Sequence, residues 1–368
     1  MQEHPENDPQ YKGLSVKHGV YSPPVVNPYL IKRKKRQDLS SGEYVEQILK
    51  GNITVLSQAV TLLESRKAEH QVIAQEVIEK CLPHSGKSVR IGITGVPGSG
   101  KSTSIDAFGM HLIRERNKKL AVLAIDPSSE RSKGSILGDK TRMEELSRET
   151  SVFIRPSPSD GSLGGVARKT RETIILCEAA GFDSVFVETV GVGQSETAVH
   201  SMVDFFLLIQ LPGTGDELQG IKRGIMEMAD GIIVNKADGN NIEKANLAAS
   251  QYRNALHLFP LPASGWSPKV MTYSGYYKQG ISEIWDMIYE YIDFTKKNSY
   301  FDYRRNSQAK YWMYESINEQ LKNHFYQSKE IEKELIINEK KVINSEISSF
   351  IAARNMLNMY FKQFCFEI

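Results

Sequence analysis

The sequence predicts an α/β fold: a mostly parallel sheet with helices on both faces, flanked by helical extensions at either end. Three observations lead there. Short apolar runs at 89–94, 120–125, 152–154, 185–188, 205–211, 232–234 and 270–272 are separated mostly by helical windows. Strands that are apolar on both faces and alternate with helices form a parallel sheet covered on both sides. Outside this span, strand-like runs give way to apolar residues at helical spacing.

Residues 1–40 read as a flexible N-terminal arm, with Pro23-Pro24 and no sustained period. Its basic run, Lys32-Arg33-Lys34-Lys35-Arg36, reads either as a contact for an acidic partner or as a solvated tail. Residues 41–87 form an N-terminal helical extension. There Leu56, Ala59, Val60 and Leu63 fall at i, i+3, i+4 and i+7, one apolar stripe. Gly51 separates a short helix from this longer one, and Pro83-His84-Ser85-Gly86 closes the segment.

Residues 88–298 hold the strands, so functional residues belong just beyond their carboxyl ends. Residues 299–368 are helical again. Tyr314, Ile317, Leu321 and Phe325 make one stripe; Phe350, Ala353, Leu357, Tyr360 and Phe361 make another. Such stripes need a surface to bury against, either as a cap on the same domain or as a dimerisation element.

Composition narrows the class. The 368 residues carry 46 Lys+Arg against 44 Asp+Glu, a formal charge of +2, which argues against a general nucleic-acid binder. Hydrophobic residues make up 40% and charged residues 24%, the proportions of a globular protein. No apolar run approaches the ~20 residues that span a bilayer. The opening MQEHPENDPQ lacks the basic-then-apolar pattern of a secretory signal. Cys81, Cys177 and Cys365 lie far apart, so neither a disulfide framework nor a ligand cluster is visible. The expectation is a cytoplasmic protein with no membrane or nucleic-acid partner.

The chemistry begins after the first strand. Gly95-Val96-Pro97-Gly98-Ser99-Gly100-Lys101-Ser102 matches G-x-x-x-x-G-K-[ST], a P-loop. The glycines let backbone amides turn inward around phosphates, and the helix that follows adds the positive end of its dipole. Lys101 reaches the β- and γ-phosphates and Ser102 binds Mg²⁺, with Pro97, Ser99 and Thr103 completing the phosphate-binding set. Farther on, Asn235-Lys236-Ala237-Asp238 follows the 232–234 strand. The Asp238 carboxylate there can accept from guanine N1–H and the exocyclic amine together. Adenine offers no such donor pair, so the expected nucleotides are GTP and GDP.

Asp126, Asp139 and Glu188 lie between these motifs, and acids at strand ends near a triphosphate are natural Mg²⁺ ligands. Asp126 also reads as a helix cap before Pro127-Ser128-Ser129, and Asp139 as a surface charge. Gly191 would bring a backbone amide to the γ-phosphate, the position of a nucleotide-sensing switch. Lys101, Glu188 and Gly191 form the expected catalytic set.

Longer runs carry a resemblance. Beside the phosphate loop stand Asp126-Pro127-Ser128-Ser129, Gly134-Ser135-Ile136-Leu137-Gly138-Asp139-Lys140-Thr141-Arg142-Met143 and Arg155-Pro156-Ser157-Pro158. Glu188-Thr189-Val190-Gly191-Val192-Gly193-Gln194-Ser195-Glu196 and Asp216-Glu217-Leu218-Gln219-Gly220-Ile221-Lys222-Arg223-Gly224 follow in the same order. Together, over about residues 44–345, they resemble the methylmalonyl-CoA mutase-associated GTPases, the MeaB/ArgK family of the SIMIBI class.

The resemblance implies a GTP-hydrolysing chaperone. It would couple hydrolysis to cofactor loading, protection or reactivation of an adenosylcobalamin-dependent mutase, methylmalonyl-CoA mutase above all, and act as a homodimer joined through terminal helices. It implies Mg²⁺-site roles for Asp126, Asp139 and Glu188, and the γ-phosphate role for Gly191. It puts Arg142 in a first switch, and Asp216, Gln219 and Lys222 in a loop that reorders on meeting the mutase. Ser274-Gly275 stands where the family usually has Ser-Ala at the guanine-backing loop, and Lys133 where it has a small residue. Gln194 lies three positions past Gly191, so the group orienting the attacking water is not identified. Two alternative functions are a nickel-insertion GTPase and a kinase acting on a transport protein. The first calls for grouped His or Cys ligands, whereas the 8 histidines here are scattered. The second needs an acceptor site that no motif identifies.

Overall fold

In the computed structural model the described residues are 39–65, 67–125, 143–157, 163–189, 195–213 and 223–362. Each of the apolar runs becomes a strand: β1 (Val89–Gly95), β2 (Leu120–Ile125), β3 (Val152–Ser157), β4 (Ser184–Thr189), β5 (Phe205–Gln210), β6 (Gly231–Val234) and β7 (Lys269–Thr272). They pair in parallel in the order β3-β2-β4-β1-β5-β6-β7. The largest extension beyond the predicted bounds is in β3, which continues through Arg155, Pro156 and Ser157 in register with Leu123, Ala124 and Ile125. A strand carrying proline belongs at a sheet edge, where the missing N–H faces no neighbour, and β3 is an edge strand.

Among the described residues, six helices accompany the sheet: α4 (Lys101–Arg116), α5 (Leu163–Ala179), α6 (Ser195–His200), α7 (Arg223–Met228), α8 (Ile242–Leu256) and α9 (Ile281–Lys297). On one face Ile91, Ile93, Phe186, Phe205 and Ile209 pack with Ile105 and Phe108 of α4 and Trp285, Ile288 and Tyr291 of α9. On the other face Gly92 lies against Val199, Val203 and Phe206. Burial on both faces is why these strands read as unbroken apolar runs instead of alternating ones.

The N-terminal helices are α1 (Ser41–Leu49), α2 (Ile53–Glu64) and α3 (Ala68–Cys81). Ser40 and Glu43 cap α1 reciprocally, and the Asn52 side chain accepts from Thr54 and Val55 to start α2. The predicted stripe of Leu56, Ala59, Val60 and Leu63 is buried. Helices α2 and α3 contact α5, and Arg155 of β3 pairs with Glu64, so this extension is bound to the β3 edge.

At the C-terminal end α10 (Tyr300–Gln327), α11 (Lys329–Ile343) and α12 (Ser349–Lys362) divide in behaviour. The first turns of α10 are fastened to the amino end of the sheet. Arg305 donates to Asp204 Oδ1 at 2.7 Å and Oδ2 at 2.6 Å, and to the carbonyls of Gly86 and Ser88. Asp204 also accepts from the Arg90 backbone N–H at 2.9 Å, while the Arg90 side chain pairs with buried Glu178. Beyond Trp312 the helix leaves the sheet. Ile331, Met356 and Tyr360 form a small cluster with Phe325. Tyr314, Ile317, Leu321, Phe350, Leu357 and Phe361 remain exposed. Among the described residues no helix is long and apolar enough to cross a membrane.

The Asp204–Arg305 pair sets a stability prediction. The Asp204 side chain is 1% exposed. Arg305→Ala would leave that carboxylate buried and short of its bidentate partner, a loss of about 3–5 kcal/mol. The exposed Lys50–Glu46 pair on α1 is the control, and Lys50→Ala should shift stability by less than about 0.5 kcal/mol. Urea unfolding followed by circular dichroism measures both. Equal, small effects would show that the sheet-end pair is not holding α10.

Candidate functional site

The phosphate loop joins β1 to α4 at the carboxyl edge of the sheet. Its path needs glycine at Gly100, whose φ is +85° and whose added Cβ would lie 2.5 Å from Asn235 Nδ2. At Gly95 a Cβ would stand 2.3 Å from the Ile209 carbonyl, so the loop starts hard against β5. Lys101 is half-buried and donates to the carbonyls of Gly95 at 2.9 Å and Val96 at 3.4 Å. Ser99 is buried, whereas Pro97, Gly98 and Thr103 are exposed at the mouth.

Glu188, one residue before the end of the adjacent strand β4, is 4% exposed. The Ser102 hydroxyl donates to Glu188 Oε1 at 3.3 Å. Hydroxyl and carboxylate oxygens beside a phosphate loop are the hard donors that Mg²⁺ prefers, and this pair could hold the ion. Ile125 and Thr189 are paired in register at the ends of β2 and β4. Among the described residues no group of three His, Cys, Asp or Glu side chains is assembled as a metal site. Asp126, Asp139, Arg142, Gly191, Asp216, Gln219 and Lys222 lie outside the described residues, as do Lys133 and Gln194.

The second loop follows β6. Asn235 is buried and its amide touches three segments at once. Nδ2 donates to the Ser99 carbonyl at 2.7 Å; Oδ1 accepts from Gly275 N at 3.0 Å and from Lys236 N at 2.7 Å. Lys236 adopts a left-handed φ of 62° and is exposed. Asp238 is half-buried, and its Oδ2 accepts from the Ser274 hydroxyl at 2.6 Å. That hydroxyl in turn accepts from Tyr277 N at 3.2 Å, so the carboxylate plane is fixed from behind. A Cβ at Gly275 would meet Asn235 Oδ1 at 3.4 Å, an ordinary contact. Alanine therefore fits the same backbone, and glycine here leaves the loop's path unchanged.

The structure thus brings Gly95, Gly98, Ser99, Gly100, Lys101 and Ser102 beside Glu188, and joins them through Asn235 to Asp238, Ser274 and Gly275. One tie has no counterpart in the sequence reading. The Ser104 hydroxyl donates to the Gly100 carbonyl at 2.7 Å and is hydrogen-bonded to the phenol of Tyr273. Burial pushes the Tyr273 phenol well above its ordinary range, so it stays protonated. Ser104 and Tyr273 belong to no motif, and only the end of β7, one residue earlier, marks the position.

Comparison with known proteins follows the same outline. The family model described as methylmalonyl-CoA mutase-associated GTPase MeaB matches residues 56–330. A relative from Caulobacter vibrioides is 51% identical over 288 residues, 78% of this chain and 87% of its own. GTPase ArgK of Escherichia coli is 45% identical over 79% of this chain and 88% of its own. The mitochondrial methylmalonic aciduria type A homolog of Mus musculus is 44% identical over 85% of this chain and 78% of its own. Among solved structures, one described as an LAO/AO transport system kinase superposes with a TM-score of 0.71 at 36% identity. It covers 89% of this chain and 99% of its own. Since the family match runs from α2 to the start of α11 and takes in both nucleotide loops, the chain belongs to the methylmalonyl-CoA mutase-associated (MeaB) family and is a GTP-hydrolysing enzyme.

Proposed function

We propose that this GTPase is a chaperone for an adenosylcobalamin-dependent acyl-CoA mutase, methylmalonyl-CoA mutase first among them. Hydrolysis would be coupled to loading, protection or reactivation of the mutase's cofactor. The observation that carries the reading is the family match over 56–330, whose description names that mutase. The mouse relative's name, methylmalonic aciduria type A homolog, supports it.

In this reading Asp238, held by Ser274, accepts the two guanine donors, and Lys236 lies beside the base. Lys101 exchanges the Gly95 and Val96 carbonyls for β- and γ-phosphate oxygens. Ser102 and Glu188 would hold Mg²⁺, with Asp126 and Asp139 as its further ligands. When bound, the ion would supply positive charge that offsets the charge of the phosphates during hydrolysis. Gly191 brings its amide to the γ-phosphate, and Arg142, Asp216, Gln219 and Lys222 carry the difference between GTP and GDP to the mutase. We further propose that the exposed stripe of α10 and the faces of α11 and α12 join two copies as a homodimer. The region assigned to this role starts at 299, with its first turns held by the sheet and its remainder free to pair.

Steady-state GTP hydrolysis with and without purified methylmalonyl-CoA mutase tests the chaperone reading. The wild type should be slow alone and faster with the mutase. Lys101→Ala should lose about 10²–10³-fold in kcat in both conditions. Lys222→Ala should bind GTP normally but respond less to the mutase. No response of the wild type would remove the mutase as client.

Nucleotide choice should rest on Asp238. Asp238→Asn is expected to weaken GDP by about 100-fold or more while admitting xanthine nucleotides, whose O2 needs a donor. Calorimetry with guanine, xanthine and adenine diphosphates measures this, and an unchanged GDP affinity would place the base elsewhere.

The dimer has its own check. Tyr314→Asp combined with Leu321→Asp puts two charges on the exposed stripe, well away from both nucleotide loops. Sedimentation should find dimer for the wild type and monomer for the double variant, with hydrolysis without mutase retained. A double variant that stays dimeric would move the interface off α10.

A further inference from the structure

Two consecutive carbonyls of the phosphate loop are held by neighbouring side chains. The Ser99 carbonyl accepts from Asn235 Nδ2 at 2.7 Å, and the Gly100 carbonyl accepts from the Ser104 hydroxyl at 2.7 Å. Gly100 also accepts the first helical bond of α4, from Ser104 N at 2.8 Å. A trans peptide is planar, and its N–H points opposite to its C=O. Turning the Gly100 carbonyl towards Ser104 therefore directs the Lys101 N–H the other way, and the Ser99 carbonyl does the same for the Gly100 N–H.

The Ser104 hydroxyl has one proton, and it goes to Gly100, so in the Ser104–Tyr273 bond the phenol is the donor. Both side chains are buried, and burial keeps the proton on the phenol. Tyr273 is itself fixed by the second loop. Its N–H donates to the Val234 carbonyl and its carbonyl accepts from Ala237 N, each at 3.0 Å. Its ring lies against Phe108 of α4, with centroids 5.5 Å apart. The next residue, Ser274, holds Asp238. A relay of hydrogen bonds thus runs from the backing of Asp238, through Tyr273 and Ser104, to the peptide before Lys101. Packing alone does not call for these hydroxyls. Alanine and phenylalanine would fill the space with no buried polar groups to satisfy.

We infer, taking the two loops as the nucleotide site, that Tyr273 is a positioning residue for GTP hydrolysis, acting through Ser104 to hold the Gly100–Lys101 peptide in its reactive setting. The leaving group of the reaction is the β-phosphate, so charge builds on oxygens that the phosphate loop surrounds. Donors fixed in advance around that group favour the transition state over the bound substrate. Looser donors still reach a bound phosphate. Loss of the relay therefore lowers the rate of the chemical step more than the affinity for nucleotide.

Single-turnover GTP hydrolysis at saturating full-length protein with Mg²⁺, beside GDP affinity from calorimetry, tests this. Tyr273→Phe removes only the hydroxyl. It should slow hydrolysis by about tenfold while GDP affinity stays within about twofold. Ser104→Ala should do the same, and the double variant should be no slower than either single one, since a relay is broken only once. A purely structural tie would lower stability in urea and leave the rate constant of the folded protein unchanged. An unchanged rate for Tyr273→Phe, equal losses in rate and GDP affinity, or losses that multiply in the double variant would each overturn the proposal. If Ser104→Ala or the double variant does not fold, the two measurements on Tyr273→Phe decide alone. Lys101→Ala separates this relay from the site it serves. Wild-type turnover by Lys101→Ala would remove the nucleotide site and the relay together, whereas an inactive Lys101→Ala beside a fully active Tyr273→Phe would remove the relay alone.

Discussion

The Asn235 amide is the contact on which the nucleotide face depends. The P-loop and the Asn235–Asp238 loop rise from different strands, and nothing in their own backbones fixes the distance between them. Asn235 spans it, donating to the Ser99 carbonyl and accepting from Gly275 and Lys236. Its burial excludes competing water, which makes each of these bonds stronger and the loss of one more costly. Gly100 is the other half of the arrangement, because a side chain there would displace the Asn235 amide. The Ser104–Tyr273 bond repeats the connection one turn deeper, from α4 to the end of β7. In the proposed site a base and a triphosphate would meet loops already tied together, so less binding energy would go into ordering them.

The opposite end of the sheet is organised by charge. Arg90, Glu178, Asp204 and Arg305 interlock there, and Asp230 and Arg304 form a second pair nearby. Asp204 and Asp230 each sit at the turn into a strand and accept a backbone N–H from a neighbouring strand end, Arg90 for one and Phe206 for the other. Strand starts expose unpaired backbone groups, and these carboxylates satisfy them while also receiving the arginines of α10. Helix α10 is thus part of the sheet's own hydrogen bonding for its first turns. Its exposed stripe begins only where that attachment stops.

Much of this is legible in the sequence, for reasons that differ by element. The strands show because burial on both faces forces unbroken apolar runs, and the phosphate loop shows because its spacing is tied to the phosphate geometry. β3 is under-read: Arg155 and Pro156 look like a break until the strand is known to be an edge. Arg304 and Arg305 look like ordinary charges on a polar helix, because the partners Asp230 and Asp204 are distant in sequence and carry no motif. The same holds for Ser104 and Tyr273. Local pattern reports what a residue's neighbours along the chain require of it. It is silent where the requirement comes from across the fold.

The position of Lys101 bears on how the proposed nucleotide site would select its ligand. Its ammonium group donates to the Gly95 and Val96 carbonyls, two neutral acceptors supplied by the loop itself. A phosphate oxygen is a charged acceptor, and charge-assisted bonds are roughly twice as strong as neutral ones. The exchange is therefore downhill for an anion and close to level for a neutral ligand. The loop carbonyls give the half-buried ammonium acceptors while no ligand competes, so the lysine need not be left unpaired in order to be ready. Glu188, 4% exposed and bonded to Ser102, adds the opposite constraint. A triphosphate arriving alone would bring more negative charge against that carboxylate, whereas one arriving with a divalent cation would not. In the proposed site, the same buried acid that would hold Mg²⁺ would therefore also disfavour the metal-free nucleotide.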